Sequence, residues 1–295
     1  MEAESSTVPR ASPGDDLVPK VWRNDVKGLR KELISFRFIS LDKPTLEARC
    51  LIKVSEVSDL ASKESKILIQ CVTIPEQWVT IGSGLSPIDC YVELFLMEML
   101  PNEKSKCTIT CKDHLQISFV LELLQVETPV LHFTKSPKEN LCLAKKYKEN
   151  GVKMFPKYPL FAHAYFNRAA KCLLSCEPLE ALDPEREGAD TISEMQALLE
   201  TLYLNISACL IKEQRFDDVL QILKFVDRKE NPSEKAIYRL ALAQFHVEQY
   251  PEAIKTLKRI DYAASKECAA LYQRIKTSWQ QDQSKYNNMV KKMFG

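Results

Sequence analysis

Glycine is scarce in this chain, 7 residues of 295, and histidine scarcer still at 4. No glycine-rich phosphate loop and no dinucleotide fingerprint occurs, which removes those nucleotide-binding classes. None of His114, His132, His163 and His246 stands with Ser, Cys and Asp in a nucleophile motif. An excess of one charge is lacking too. The 41 basic and 40 acidic residues leave a net charge of +1, which argues against nucleic acid or an acidic membrane as the main partner. There is no apolar run of about 18 residues, so no membrane-spanning helix is expected. The opening MEAESSTVPRASPGDD is polar and has no apolar signal core. A cytoplasmic location, with the nucleus as a second compartment, is the expectation. Cysteine is not scarce, at 10, but no Cys-x-x-Cys pair exists. Cys111 and His114 form one Cys-x-x-His with no second pair to complete a zinc site. Free, buried thiols without metal or cofactor are expected.

The length allows about two domains at roughly 100–200 residues each. Residues 1–20, rich in Ser, Pro, Glu and Asp, read as a disordered tail. From 21 to 127 the pattern favours strands, at Glu32–Ser40, Glu47–Val57, Ser65–Ile74, Lys106–Cys111 and Leu115–Val126. Pro87–Leu100 carries apolar residues at helical spacing behind a proline and predicts a single helix. Strands around one helix, without βαβ alternation, predict an α+β domain with an antiparallel sheet. Trp78 is expected in its core, and Asp89, Glu93 and Glu98 on the helix's solvated face. A Pro-containing linker covers 128–139. Beyond it no strand pattern remains.

The segments ETLYLNISACLIKEQRFDDVLQILKFV and EKAIYRLALAQFHVEQYPEAIKTLKRI match in kind when slid by 34 residues. Tyr203 falls on Ile237, Ser207 on Ala241, Phe216 on Tyr250 and Leu223 on Leu257. That period, with small residues in the first helix and an aromatic at the turn, is the signature of a tetratricopeptide array. Each helix–turn–helix unit cannot bury its apolar face alone, so units must stack. Three repeats are expected over 140–264, followed by a capping helix over 265–295. Aligned by its glycine, the first pair (Leu141–Phe155 and Leu160–Cys176) puts Gly151 at the position of Ser207 and Ala241. Ala162, Phe166 and Ala169 then take the second-helix positions.

Polar residues on the three first helices follow from this register. Lys148 lies three residues before Gly151, and Asn205 two before Ser207. Lys235 and Arg239, four apart, share one helix face. Together they are a donor set without acceptor charge, suited to carboxylates and hence to an acidic peptide tail. The alternative is a solvated basic face. An asparagine in mid-helix argues against it, because its helix propensity is poor.

The array resembles the three-repeat domain of chaperone-binding proteins that grip the Glu-Glu-Val-Asp tail of the ninety-kilodalton heat-shock chaperone. The resemblance covers about residues 140–262. It implies a carboxylate clamp of Lys148, Asn205, Lys235 and Arg239. Where that family carries a further asparagine in the first repeat this chain has Val152, so one donor is missing.

An α+β domain ahead of such an array resembles the FKBP-type immunophilins, whose prolyl-isomerase fold wraps an antiparallel half-barrel around one short helix. Over residues 30–127 the order agrees: strands, Gly82-x-Gly84, helix, then CTITC and ISFVLELLQVE. The isomerase pocket does not carry over. The place of its floor tryptophan falls on Cys90, counted from Gly84, or on Val92, counted back from KCTI. The loop before the last strand is reduced to Asp113 and His114, and the family's aromatic strand has no counterpart between Ile52 and Gln70. Such enzymes bind a twisted proline in an aromatic, water-poor pocket, so the resemblance implies no catalysis. The closing VKKMFG resembles the terminus of a divergent, FKBP-like branch. The implied role is a non-catalytic co-chaperone or adaptor, with the chaperone's acidic tail in the groove and a client of unstated identity on the first domain. The rival readings are an active prolyl isomerase and a scaffold for another acidic partner.

Overall fold

The computed structural model describes residues 18–58, 65–70, 74, 76–111, 116–129, 135–176, 178–227 and 233–294. The chain divides into two compact units, Met1–Leu131 and His132–Gly295.

The first unit is a six-stranded antiparallel sheet with one main helix. The strands are β1 (Val21–Asn24), β2 (Leu29–Phe36), β3 (Arg49–Ser55), β4 (Glu76–Thr80), β5 (Glu103–Thr110) and β6 (Gln116–Glu127), in the spatial order β1-β2-β5-β6-β3-β4. A short helix α1 (Lys66–Gln70) precedes β4, and α2 (Pro87–Met97) follows it. Helix α2 starts where Ser86 accepts from the Asp89 amide and Pro87 fills the first turn. It buries Val92, Phe95 and Leu96 against Leu29, Cys50, Ile52, Ile109 and Phe119 of the sheet. Phe95 meets Trp22 and Phe119 edge-on, each at 6.0 Å between ring centroids.

Four expectations for this unit fail. The strand expected over Ser65–Ile74 is not formed by its described residues, and 71–73 lie outside them. Its residues Lys66–Gln70 form α1, although Ile and Leu dominate them. Ser65 Oγ accepts from the Leu68 amide at 3.0 Å and Asp89 accepts from the Ile67 amide at 3.2 Å, so side-chain acceptors close a helical turn that periodicity cannot show. Trp78 is not in the core but 41% exposed on β4, with the Arg49 guanidinium 4.8 Å from its ring centroid. Its neighbour Val79 faces inward instead, as the two-residue period of a strand demands. Asp89 and Glu93 are not solvated: they are 3% and 2% exposed. Glu93 Oε1 accepts from the Ser83 and Gly84 amides at 2.8 and 2.6 Å, pinning the preceding loop to α2. A Cβ on Gly84 would stand 3.0 Å from the Cys90 amide nitrogen, so a side chain here would require the helix backbone to give by a few tenths of an ångström. Glu98 alone is partly exposed, 3.4 Å from Lys43. Of the expected tail, residues 1–17 lie outside the described residues, and Val18 is buried.

The second unit is helical: α3 (Pro137–Met154), α4 (Pro159–Leu174), α5 (Pro184–Glu187), α6 (Ala189–Lys212), α7 (Phe216–Asp227), α8 (Glu234–His246), α9 (Tyr250–Leu257) and α10 (Lys266–Phe294). Helix α3 begins three residues inside the segment expected as linker. A capping box sets it there: Glu139 donates its amide to Ser136 Oγ and accepts from the Ser136 amide at 2.8 Å. Between the first helix pair and the regular repeats lie the short α5 and the start of α6.

The 34-residue register is written in the turns. Gln214 and Glu248 have φ of 58° and 63°. The Arg215 amide donates to the Leu210 carbonyl at 3.0 Å, and the Gln249 amide to the Gln244 carbonyl at 2.8 Å, the same bond one repeat later. Ala162, Phe166 and Ala169 are buried on α4, Val219 and Leu223 on α7, and Ala253 and Leu257 on α9. Helix α10 covers the end of the array with Cys268, Leu271 and Ile275.

Candidate functional site

Helices α3, α6 and α8, the first helices of three successive pairs, pack side by side in that order. Small residues allow it. Ser207 and Ala241 are fully buried, and a Cβ on Gly151 would stand 2.5 Å from Phe166 Cε1 on α4. A glycine is required at that point because the aromatic ring already fills the space.

The side chains that line the resulting groove include most of those expected. Val152, Phe155, Phe166, Asn205, Ala208 and Arg239 surround one cavity of about 220 Å³. Asn205 from α6 and Arg239 from α8 thus converge beside Val152 from α3, which is 52% exposed at its edge. Lys212 Nζ lies 4.3 Å from the Phe155 ring centroid and adds a cation to this wall. Lys235 and Arg239 share a second opening of about 350 Å³ with Glu234, Tyr238, Ser265 and Glu267. Lys148, half-buried on α3, lines neither opening.

Arg239 also braces the array. Its Nη1 donates to the Leu204 carbonyl at 2.5 Å and lies 3.4 Å from Ser207 Oγ. Burial pushes the guanidinium below its ordinary pKa, yet it stays charged at any physiological pH. Three of its five N–H donors remain beyond these two bonds. Two features escaped the sequence reading. The bracing bond depends on a backbone atom 35 residues away. Glu234 and Glu267 place acceptor charge beside Lys235, so the donor set is not free of carboxylates.

In the first unit the two candidates for the lost tryptophan position differ. Val92 is fully buried on α2 in the core formed with the sheet, whereas Cys90 is half-buried with Sγ 3.5 Å from the Gly84 carbonyl oxygen. Neither supplies an aromatic floor. Asp113 and His114 lie outside the described residues. Nine described cysteines are free. Five are buried, but Cys142 is exposed, against the expectation of burial. Burial pushes the thiols of Cys50 and Cys209 up to about 12, which keeps them protonated. Cys71 lies outside the described residues. Among the described residues no group of His, Cys, Asp and Glu could hold a metal ion, and no helix is long and apolar enough to cross a membrane.

An antiparallel sheet wrapped on one helix, followed by stacked helix pairs with a donor-lined groove, defines an FKBP-like domain joined to a tetratricopeptide-type array. The chain belongs to the Bride of doubletime-like family: residues 22–128 match its FKBP-like N-terminal domain and residues 136–221 its tetratricopeptide domain. It is 33% identical over 278 residues to the protein Bride of doubletime of Drosophila melanogaster, covering 92% of this chain and 97% of that one. FK506-binding protein 5 of Rhizopus delemar is 25% identical over 142 residues, 46% of this chain and 34% of its own length. Among solved structures, residues 1–211 of CG17282 superpose with a TM-score of 0.60 at 32% identity, covering 70% of this chain and 99% of that one.

Proposed function

We propose that the chain is a non-catalytic co-chaperone or adaptor. Its helical array would bind the acidic C-terminal tail of the ninety-kilodalton heat-shock chaperone, and its FKBP-like domain would hold a client or second partner. The observation that carries this reading is the convergence of Asn205 and Arg239, from different helices, on one cavity beside Val152. An amide and a guanidinium at the polar end of a small pocket suit a carboxylate attached to a short side chain. Lys235, one turn from Arg239, and Lys148 on the first helix extend the positive field along the path of an extended peptide. The FKBP-like domain is assigned a binding rather than a catalytic role, because Val92 and Cys90 replace the wall against which a twisted proline would be held.

Titrating a synthetic acidic peptide ending in Glu-Glu-Val-Asp into the full chain tests the groove. The same peptide with an amidated C-terminus is expected to bind roughly tenfold more weakly, or worse, because it withdraws a charged acceptor worth about 1.5–3 kcal/mol. Equal binding of the two forms would refute carboxylate recognition. Pull-down with chaperone lacking its last residues separates this partner from another acidic one. A proline-isomerisation assay addresses the first domain, where turnover that survives purification would overturn the non-catalytic role.

A further inference from the structure

Helix α10 carries apolar residues in a sustained alternation of four and three. Its first part, Cys268, Tyr272 and Ile275, packs against Ala241, Ala253 and Leu257 of the last repeat. The same seam continues through Trp279 and Asp282. Trp279 is half-buried beside Pro251 and Ile254 of α9, and Asp282 accepts from the Tyr250 hydroxyl at 2.9 Å. The seam does not stop where α9 does. Tyr286, Met289 and Met293 follow in the same register and are 63%, 53% and 69% exposed. At roughly 1.5 Å per residue, this uncovered stretch is about 18 Å long from Asp282 to Phe294.

A seven-residue repeat with apolar residues at two positions is the pattern of a helix that packs on another helix. Val290 and Phe294 widen the stripe, while Gln283, Ser284, Asn287, Asn288 and Lys291 occupy the rest of the surface, so the polar face carries amides and a hydroxyl as well as lysine. One flank carries one sign, with Lys285 before Tyr286 and Lys292 before Met293 in a flanking position that sets partner choice, while Gln283 and Val290 stand on the other. Lys255 and Lys258 of α9 line the opening next to Trp279 and add to that field. Two antiparallel copies of the segment would bring these lysines together, which costs free energy.

We propose that the distal half of α10, built on Tyr286, Met289 and Met293, is a docking seam for a partner helix whose apolar stripe is flanked by Glu or Asp. The continuity of the seam supplies the second argument. The segment is already helical because its base is packed on α9, so a partner does not have to nucleate it.

Two synthetic four-heptad peptides with the same Ile and Leu seam test this, one with Glu and one with Lys at the flanking positions. Fluorescence anisotropy against the full chain is expected to show the Glu-flanked peptide binding at least tenfold more tightly. Tyr286→Ala/Met289→Ala/Met293→Ala should lose that binding while the thermal midpoint holds, since these side chains are exposed. Lys285→Glu/Lys292→Glu should invert the order of the two peptides. Lys235→Ala, in the groove, should change neither. Failure of both peptides to bind, or equal affinity for both, would overturn the proposal. So would a sedimenting dimer that the triple alanine variant dissociates, which would assign the seam to a second copy. Binding to phosphatidylserine vesicles lost in the triple variant, without a peptide preference, would assign it to a lipid surface.

Discussion

Arg239 Nη1 donates to the backbone carbonyl of Leu204 at 2.5 Å, so the third of the groove-lining helices is tied to the second by a charged hydrogen bond. Ser207 Oγ donates to the same carbonyl at 2.7 Å. Lys235, one turn earlier on α8, is exposed and makes no side-chain bond among the described residues. The two cations should therefore separate in their effects. Lys235→Ala is expected to weaken acidic-peptide binding by roughly tenfold without moving the unfolding midpoint. Arg239→Ala is expected to weaken binding at least as much and to cost about 1–2 kcal/mol of stability, because the bracing bond is to a charged group. Calorimetric titration and denaturant unfolding of both variants check this. Equal stability losses would show that Arg239 is no brace.

Val152 is the gap in the donor set. It is exposed at the edge of the cavity that Asn205 and Arg239 share, so a polar replacement there disturbs no core. Val152→Asn should raise affinity for the Glu-Glu-Val-Asp peptide about threefold or more, the effect of one added donor to a charged acceptor. An unchanged or lower affinity in the same titration would mean that the peptide does not pass Val152.

How much of this was legible in the sequence depended on the kind of interaction. The helical array was readable because its cause is periodic. Small residues at Gly151, Ser207 and Ala241 and aromatics at Phe216 and Tyr250 recur for packing reasons that repeat every 34 residues. Asn205 and Arg239 came with that register, and their meeting at one cavity is a consequence of stacking. The first unit was less readable because its decisive contacts are single and long-range. Asp89 and Glu93 look like a polar helix face, and only the fold reveals that loop amides and a serine hydroxyl face them. Trp78 looks like core, and only the strand's phase turns it outward. The seam of α10 was hidden for another reason. Its apolar residues are diluted by Gln, Asn and Lys, so composition alone reads as a capping helix.

Gly151→Ala tests the stacking geometry directly. The added methyl would meet Phe166 Cε1 at 2.5 Å, and Phe166 is itself buried on α4. Overpacking of this kind costs about 1–3 kcal/mol, against the about 1 kcal/mol that alanine returns in helix propensity. A net loss of up to about 2 kcal/mol is expected by denaturant titration. Adding Phe166→Leu should recover part of it, because the smaller side chain vacates the contested space. Gly151→Ala as stable as the wild type would show that α3 and α4 can separate at no cost.

Two histidines give the array a sign-definite response to acid. Burial lowers the pKa of His163, outweighing the attraction of Glu213 at 3.6 Å, and burial lowers that of His246, whose ring stacks on Phe216 at 4.0 Å. The ordinary value is 6.5, so below it the unfolded chain takes up protons that the folded chain refuses. Their contribution is constant above pH 6.5, declines as the pH falls through that value, and levels off below the folded pKa. His163→Gln/His246→Gln should flatten the fall in unfolding midpoint between about pH 7 and 5.5, measured on wild type and variant in parallel. Identical pH profiles would show that neither ring is held neutral.

Helix α2 poses the sharpest test of buried carboxylates against a solvated face. Asp89 is 3% exposed, accepts from the Ile67 amide at 3.2 Å and is bonded to the Ser65 hydroxyl, whereas Glu98, at the other end of the helix, is partly exposed beside Lys43. Asp89→Ala leaves those buried donors without an acceptor and removes the anchor of α1. At about 1–3 kcal/mol per unmet donor it should cost roughly 2–4 kcal/mol. Glu98→Ala should cost no more than about 0.5 kcal/mol, the range of an exposed ion pair. Asp89→Asn separates charge from shape, since its amide oxygen still accepts from one donor; an intermediate loss is expected. Denaturant unfolding followed by the fluorescence of Trp22 and Trp78, both in this unit, reads the three variants. If Asp89→Ala and Glu98→Ala were equally mild, Asp89 would be the solvated residue that the sequence pattern suggests, and the tether between α1 and α2 would contribute nothing to the fold.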